Sequence, residues 1–222
     1  AFSFREREAQ WTKAAKKERE ASGATPPPRV LHNTWYRLDG DGYFNAERYK
    51  LYVVDVDTGQ TTMLYGKDTI GWFNFSWSPD GGTLAVTTNR NRRGVLGTQN
   101  FDLLKIDVKT GKCTHLKELP KGPKTNVQWS PDGKHLAWAG RDGTDGPYST
   151  RNLDLWTCDA RGRNARCLTE QTDWCLMACV LSDSADVSFA PNLQWSHDSK
   201  RLLVSIGWHG QSHVASFPRD GS

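Results

Sequence analysis

No run of eighteen apolar residues occurs in the 222-residue chain, so nothing in it is long enough to cross a bilayer as a helix. Ala1-Phe2-Ser3-Phe4 leads straight into charge, without the apolar core and cleavage site of a secretory leader. Cysteines are few and odd in number: Cys113, Cys158, Cys167, Cys175 and Cys179. With no leader, that count favours reduced thiols and a cytoplasmic location, with a Cys158–Cys167 bridge across one hairpin left open. Charge of one sign is lacking too. The 29 basic and 25 acidic residues interleave to a net +4, a solvated surface rather than the concentrated stripe of a nucleic-acid footprint.

Autonomous catalytic motifs are also missing. There is no Gly-x-Ser-x-Gly nucleophile elbow and no His-Glu-x-x-His. Gly66-Lys67 and Gly111-Lys112 lack the upstream glycine and the following hydroxyl of a phosphate-binding loop. Cys175-x-x-x-Cys179 and His209-x-x-x-His213 have the types of zinc ligands, but 29 residues separate the pairs. The histidines also fall where a strand is expected, and positions four apart in a strand are about 13 Å distant. Asp39-Gly40-Asp41-Gly42, with Asn45 and Glu47, departs from a helical calcium loop and reads better as an Asp-Gly turn between strands. No metal and no cofactor is therefore expected.

What the chain does have is a repeat. Phe75-Ser76-Trp77-Ser78-Pro79-Asp80-Gly81-Gly82-Thr83-Leu84-Ala85-Val86 returns as Val127-Gln128-Trp129-Ser130-Pro131-Asp132-Gly133-Lys134-His135-Leu136-Ala137-Trp138. A worn third copy is Leu193-Gln194-Trp195-Ser196-His197-Asp198-Ser199-Lys200-Arg201-Leu202-Leu203-Val204. Phe73, Phe75 and Trp77 alternate with Asn74, Ser76 and Ser78, the period of a half-buried strand. Pro79 presets a type I turn and Gly81 supplies the positive φ that closes it. A second turn follows each copy or precedes it: Asp55-Val56-Asp57-Thr58-Gly59, Asp107-Val108-Lys109-Thr110-Gly111, and Asp159-Ala160-Arg161-Gly162. Asp55 to Asp107, Asp107 to Asp159 and Trp77 to Trp129 are each 52 residues, while Trp129 to Trp195 is 66. Two turns mean four short strands per unit, the signature of a propeller blade. Ten tryptophans, three of them in the repeat, supply broad plates for sheets stacked face to face.

The fold expected is all-β, a partial β-propeller of about three to four four-stranded blades over residues 29–222. Residues 1–28 are expected to form a charged helical insertion and a Pro-rich connector. The charged run from 3 to 21 has high helix propensity but a thin apolar stripe of Ala9, Trp11, Ala14 and Ala15, so it reads as a surface helix or inserted arm. Pro26-Pro27-Pro28 makes the connector stiff. In a blade both tight turns share one rim, and the long connections share the other. Those connections are 89–100, 140–152 and 170–191, and long loops on one rim are where binding is usually built. The candidate binding residues there are Arg90, Arg92 and Arg93, with Arg141, Tyr148 and Arg151 in the matching loop of the next blade. Such arginines either sit solvated or hold a carboxylate or a partner's acidic groups bidentately.

The repeat resembles the blades of two groups, the periplasmic Tol-associated propeller and the propeller of prolyl oligopeptidase family serine peptidases. Three stretches resemble the acylaminoacyl-peptidase-like branch of the latter. They are Pro28-Arg29-Val30, Tyr36-Arg37-Leu38-Asp39-Gly40-Asp41-Gly42-Tyr43, and Leu51 to Gly59, with a charged helical insertion before them at 5–20 and Gly210-Gln211-Ser212-His213-Val214 near the end. The resemblance implies a seven-bladed propeller followed by an α/β-hydrolase domain with a Ser-Asp-His triad. This sequence starts inside such a propeller and stops before the hydrolase, so no catalytic residue is carried over. The Glu-Glu helix of dipeptidyl peptidases is not recognisable. The implied role is a non-catalytic filter that admits short peptides to the hydrolase domain, its partner. The alternative is a stand-alone Tol-associated-type propeller that binds proteins as a scaffold. Open blade edges would permit self-association; no nucleic-acid or membrane partner is expected.

Overall fold

The computed structural model describes residues 1–38, 41–71, 73–91, 96, 100–143, 151–176 and 190–221. They form two compact units, Ala1–Gly71 and Trp72–Ser222.

In the second unit each repeat is a sheet. Strands β6 (Phe75–Trp77), β7 (Thr83–Thr88), β8 (Asp102–Asp107) and β9 (Cys113–His115) pair in that order. So do β10 (Lys124–Trp129), β11 (His135–Gly140), β12 (Asp154–Asp159) and β13 (Arg166–Cys167). The third sheet holds β14 (Leu193–Trp195), β15 (Arg201–Trp208) and β16 (Gln211–Pro218). All pairings are antiparallel, and the register repeats: Thr88 faces Asp102 and Gly140 faces Asp154.

Neither face of a blade can be left wet, because β7 and β11 are apolar on both sides. Leu84, Ala85 and Val86 are fully buried, as are Leu136, Ala137 and Ala139. One core cluster joins the first two blades through Ala85, Leu103, Val127, Leu136 and Trp138. Another joins the next two through Ala137, Leu155, Leu193, Leu202 and Val204. Burying a side chain of this size contributes about 1.5–3 kcal/mol, so the interfaces between blades carry much of the stability.

The turns follow the repeat. Ser78 N–H donates to Thr83 O (2.8 Å) and Gly81 N–H to Ser78 O (2.9 Å). Ser78 Oγ donates to Asp80 Oδ1 (2.5 Å) and accepts from Thr83 N (2.9 Å). Gly81 and Gly133 sit at φ 69°, and Ser199 takes the same left-handed place at φ 59°. Serine is tolerated there because its Oγ accepts from the backbone N–H of Asp132 in the preceding blade at 3.0 Å, a contact that offsets the strain.

In the first unit the helix is shorter than the charged run predicts. α1 spans Lys13–Ser22, capped by Thr12, whose Oγ1 accepts from Ala15 N (3.2 Å), and ended by Gly23 at φ 67°. It buries no residue. Phe2–Phe4 is instead a strand, β1. Two further short strands, β2 (Arg37–Leu38) and β3 (Gly42–Tyr43), pair with each other. β1 pairs with β4 (Lys50–Val54), which pairs in turn with β5 (Thr61–Tyr65). Phe4 faces Lys50, and Lys50 lies 52 residues before Asp102. β1 therefore stands to β4 as β7 stands to β8. The charged arm, the prolines and the β2–β3 hairpin all lie in the connection between a blade's second and third strands.

The arm is fastened by arginines. Arg5, at the residue after β1, gives Asp41 two hydrogen bonds of 2.7 and 2.6 Å. Its guanidinium lies 4.8 Å from the ring centres of both Phe44 and Tyr49. Arg48 donates to the carbonyls of Trp35, Asn45, Glu47 and Thr69.

Candidate functional site: the long-connection rim

The two tight turns of each blade lie together, since Val108 N–H donates to Gly82 O (3.0 Å) and Ala160 N–H to Lys134 O (2.8 Å). The described ends of the long connections lie on the opposite rim, with Arg90, Arg141 and Arg151. Arg90 sits on Asp102 of its own blade, with Nε 2.6 Å from Oδ2 and a second nitrogen on the same oxygen. The other carboxylate oxygen of Asp102 faces His115 Nε2 at 3.1 Å. Arg141 is buried and donates to Arg151 O (2.6 Å), while Arg151 holds Asp142 Oδ1 at 3.0 Å. The structure thus brings Arg141 and Arg151 together. Arg92, Arg93 and Tyr148 lie outside the described residues.

Sequence reasoning missed Lys124, the first residue of β10. Its side chain is 5% exposed. The ammonium donates to the carbonyls of Pro120 (2.5 Å), Phe101 (3.1 Å) and Gly122 (3.3 Å). Burial pushes its pKa down to about 8, against the opposing charge of Asp102. A cavity of about 130 Å³ opens beside it, lined in part by Asp102, His115, Lys117, Lys121 and Lys124. No local motif announces Lys124, because its three acceptors come from the preceding blade and the connection.

Asparagines ring the inner strands of this rim. Asn74, Asn126 and Asn192 each stand three residues before a repeat tryptophan. Asn74 Oδ1 accepts from Asn126 N (3.0 Å) and from Thr125 Oγ1 (2.5 Å). Asn126 Nδ2 donates in turn to Pro191 O. The signal was present at a fixed offset from Trp77, Trp129 and Trp195, outside the strand–turn–strand core of the motif.

The turn rim holds a cavity of about 180 Å³ lined by residues including His135, Cys158, Asp159 and Arg219. Arg219 approaches His135 Nδ1 at 3.2 Å. Burial and then Arg219 lower the His135 pKa, against Asp132. Cys158 is a buried free thiol whose pKa burial raises to about 12, and Cys113, Cys167 and Cys175 are also free. Cys158 is therefore no thiolate nucleophile. Ser130, Asp132 and His135 share one turn but not a triad geometry. Ser130 Oγ is buried, donates to Asp132 Oδ1 (2.5 Å) and accepts the backbone N–H of His135 (2.9 Å).

Among the described residues no group of three or more metal-ligating side chains occurs. Cys179 of the zinc pattern lies outside them. Asp41 of the calcium pattern is engaged by Arg5, and its N–H donates to Leu38 O (3.2 Å) to close the β2–β3 turn. Among the described residues no helix is long and apolar enough to cross a membrane.

Stacked four-stranded antiparallel sheets with this turn alternation define part of a β-propeller. Solved structures of the same fold include TolB from Acinetobacter baumannii, at 18% identity and TM-score 0.52, over 80% of this chain and 37% of that one. A prolyl endopeptidase matches at 18% identity and TM-score 0.51, over 80% of this chain and 25% of that one. Puromycin hydrolase matches at 16% identity and TM-score 0.52, over 79% and 26%. At these identities the likeness is one of fold, and the chain spans only about a quarter to two-fifths of those proteins' length. No family model matches the chain, and no curated protein does.

Proposed function

We propose that this chain is the non-catalytic propeller part of a prolyl oligopeptidase family serine peptidase, of the acylaminoacyl-peptidase-like branch. In this reading it restricts the access of peptides to an α/β-hydrolase domain that these residues do not contain, and the enzyme works in the cytoplasm. The fold likenesses suit a peptidase propeller and a TolB-like propeller equally. One observation favours the peptidase. The arm and the Tyr36–Tyr43 hairpin, whose text resembles that branch, are inserted between β1 and β4, in a blade's second connection. An ordered insertion at that place is a feature of a particular propeller, not of the repeat. The physical role is a size filter: a narrow opening passes a short unfolded chain and excludes a folded domain.

The test uses the full natural polypeptide that carries this propeller. A fluorophosphonate probe should label it outside residues 1–222, and it should hydrolyse short chromogenic peptides while sparing folded proteins. This chain by itself should hydrolyse neither. Absence of labelling in the full polypeptide, together with stable capture of protein partners, would instead establish the scaffold role of a TolB-like propeller.

A further inference from the structure

We propose that the cleft between the start of β8, the end of β9 and the 116–124 connection binds the terminal carboxylate of a short peptide. The inference deepens the peptidase reading by giving its substrates a docking point, and it rests on that reading for the choice of peptide over other carboxylates.

The argument starts from charge. The chain's formal net charge is +4. Three lysines, Lys117, Lys121 and Lys124, line this one cavity, and Asp102 is its single acidic side chain. Asp102 is already neutralised by Arg90, and its remaining oxygen faces His115. Glu118, the nearest acid in the connection, is drawn to Arg163 at 3.7 Å and does not line the cleft. The cavity is therefore left with three uncompensated positive charges. A concave, partly desolvated site of one sign concentrates ligands of the other.

The lysines divide the work. Lys124 spends its three N–H bonds on main-chain carbonyls, so it contributes field and holds the wall in place. Lys117 and Lys121 are exposed and have no ion-pair partner among the described residues. Their ammonium groups are the donors for an incoming anion. Size selects the occupant: about 130 Å³ holds a carboxylate and little more than one residue, and a nucleic-acid backbone finds no groove to follow. The cleft opens on the long-connection rim, beside the outer strands β8 and β9 and the connection to the next blade.

The test is a titration of this chain with N-acetyl-Ala-Ala as the free acid and as the amide, followed by calorimetry and by the Lys side-chain NMR signals. The acid should bind at least tenfold more tightly than the amide and lose affinity as salt rises. A Lys117→Gln/Lys121→Gln double variant, with an unchanged melting curve, should lose at least tenfold for the acid alone. Equal binding of acid and amide, or an unaffected double variant, overturns the proposal. Inorganic phosphate binding more tightly than the peptide acid overturns the choice of occupant. None of these readouts requires hydrolysis, so the cleft can fail while the peptidase reading stands, and the reverse.

Discussion

Asn74 and Asn126 occupy the same position in consecutive blades, and the side-chain oxygen of the first accepts the backbone N–H of the second at 3.0 Å. The blades are thus tied at their inner strands by a polar bond as well as by the apolar core. Asn126 itself sits at φ 51°, a left-handed conformation that asparagine tolerates better than most residues. Asn74→Ala leaves the Asn126 N–H without its acceptor and should cost about 1–3 kcal/mol. Asn126→Gly relieves the φ restraint but loses the link to Pro191, so it should cost less than Asn126→Val. Urea unfolding of the three variants checks the order.

Gly122 has a backbone of φ 128°, and a Cβ there would fall well inside contact of the carbonyl oxygens of Arg141 and Gly143. Backbone oxygens cannot rotate aside as a side chain can. Gly122→Ala should cost about 3 kcal/mol or prevent folding. The same change at Gly81, whose Cβ would meet nothing within 4 Å, meets only the φ penalty and should cost about 1 kcal/mol. Thermal melts of the two variants give the comparison.

Lys124 is pushed to about 8 from an ordinary value of 10.5. The unfolded chain therefore holds the proton more tightly than the folded one. Between pH 8 and 10.5 this group makes the protein more stable as pH rises, and the contribution is absent below pH 8, where both states are protonated. Cys158, raised to about 12 from 9.0, works in the opposite direction above pH 9. The Lys124→Met variant leaves the carbonyls of Phe101, Pro120 and Gly122 without their donor and should lose stability, and the difference between wild type and variant should widen from pH 8 to pH 10. Equilibrium unfolding at those pH values measures it.

The repeat was legible because its physics is local. Proline, aspartate and glycine fix the Ser78–Thr83 turn within six residues, and the alternation around Trp77 fixes the strand before it. The third turn survives Ser199 only through a bond from Asp132 in the preceding blade, which no reading of the turn alone supplies. The helical run expected from residue 3 overlaps β1, whose partner residues, Leu51 and Tyr52, lie beyond the inserted arm. Phe2 and Phe4 were the signal, alternating about Ser3 and both packed on the Tyr52 ring. Loop length points to the rim arginines but not to Lys124 or Arg5, whose meaning lies in carbonyls and a carboxylate brought from other elements.

Arg219 Nη1 lies 3.2 Å from His135 Nδ1, a contact that favours the neutral ring with its proton on Nε2. The lowered pKa agrees with this. The stabilising effect of a neutral His135 is present above the ordinary histidine range. It is lost as pH falls below about 6.5 toward the folded value, because the unfolded chain takes the proton first. Wild type should lose more melting temperature between pH 7 and pH 5 than His135→Gln. Equal losses would show that His135 is not the group responsible.

Ser130 is the described serine most easily mistaken for a nucleophile, with an aspartate two residues on and a histidine five residues on. Its geometry argues the other way. Oγ donates to Asp132 Oδ1 and reaches the His135 main-chain carbonyl, not the His135 ring, and receives the His135 backbone N–H in return. The same bonds recur at Ser78 with Asp80 and at Ser196 with Asp198, in turns where no histidine holds the fifth place. A catalytic serine needs an exposed Oγ and a base that accepts its proton, whereas Ser130 is fully buried. A fluorophosphonate probe should leave Ser130 unmodified by peptide mapping. Ser130→Ala should lower stability by about 1–2 kcal/mol while leaving the labelling and peptide hydrolysis of the full polypeptide unchanged. Label found on Ser130, or hydrolysis lost in a variant that remains folded, would place chemistry on the turn rim and refute the non-catalytic assignment.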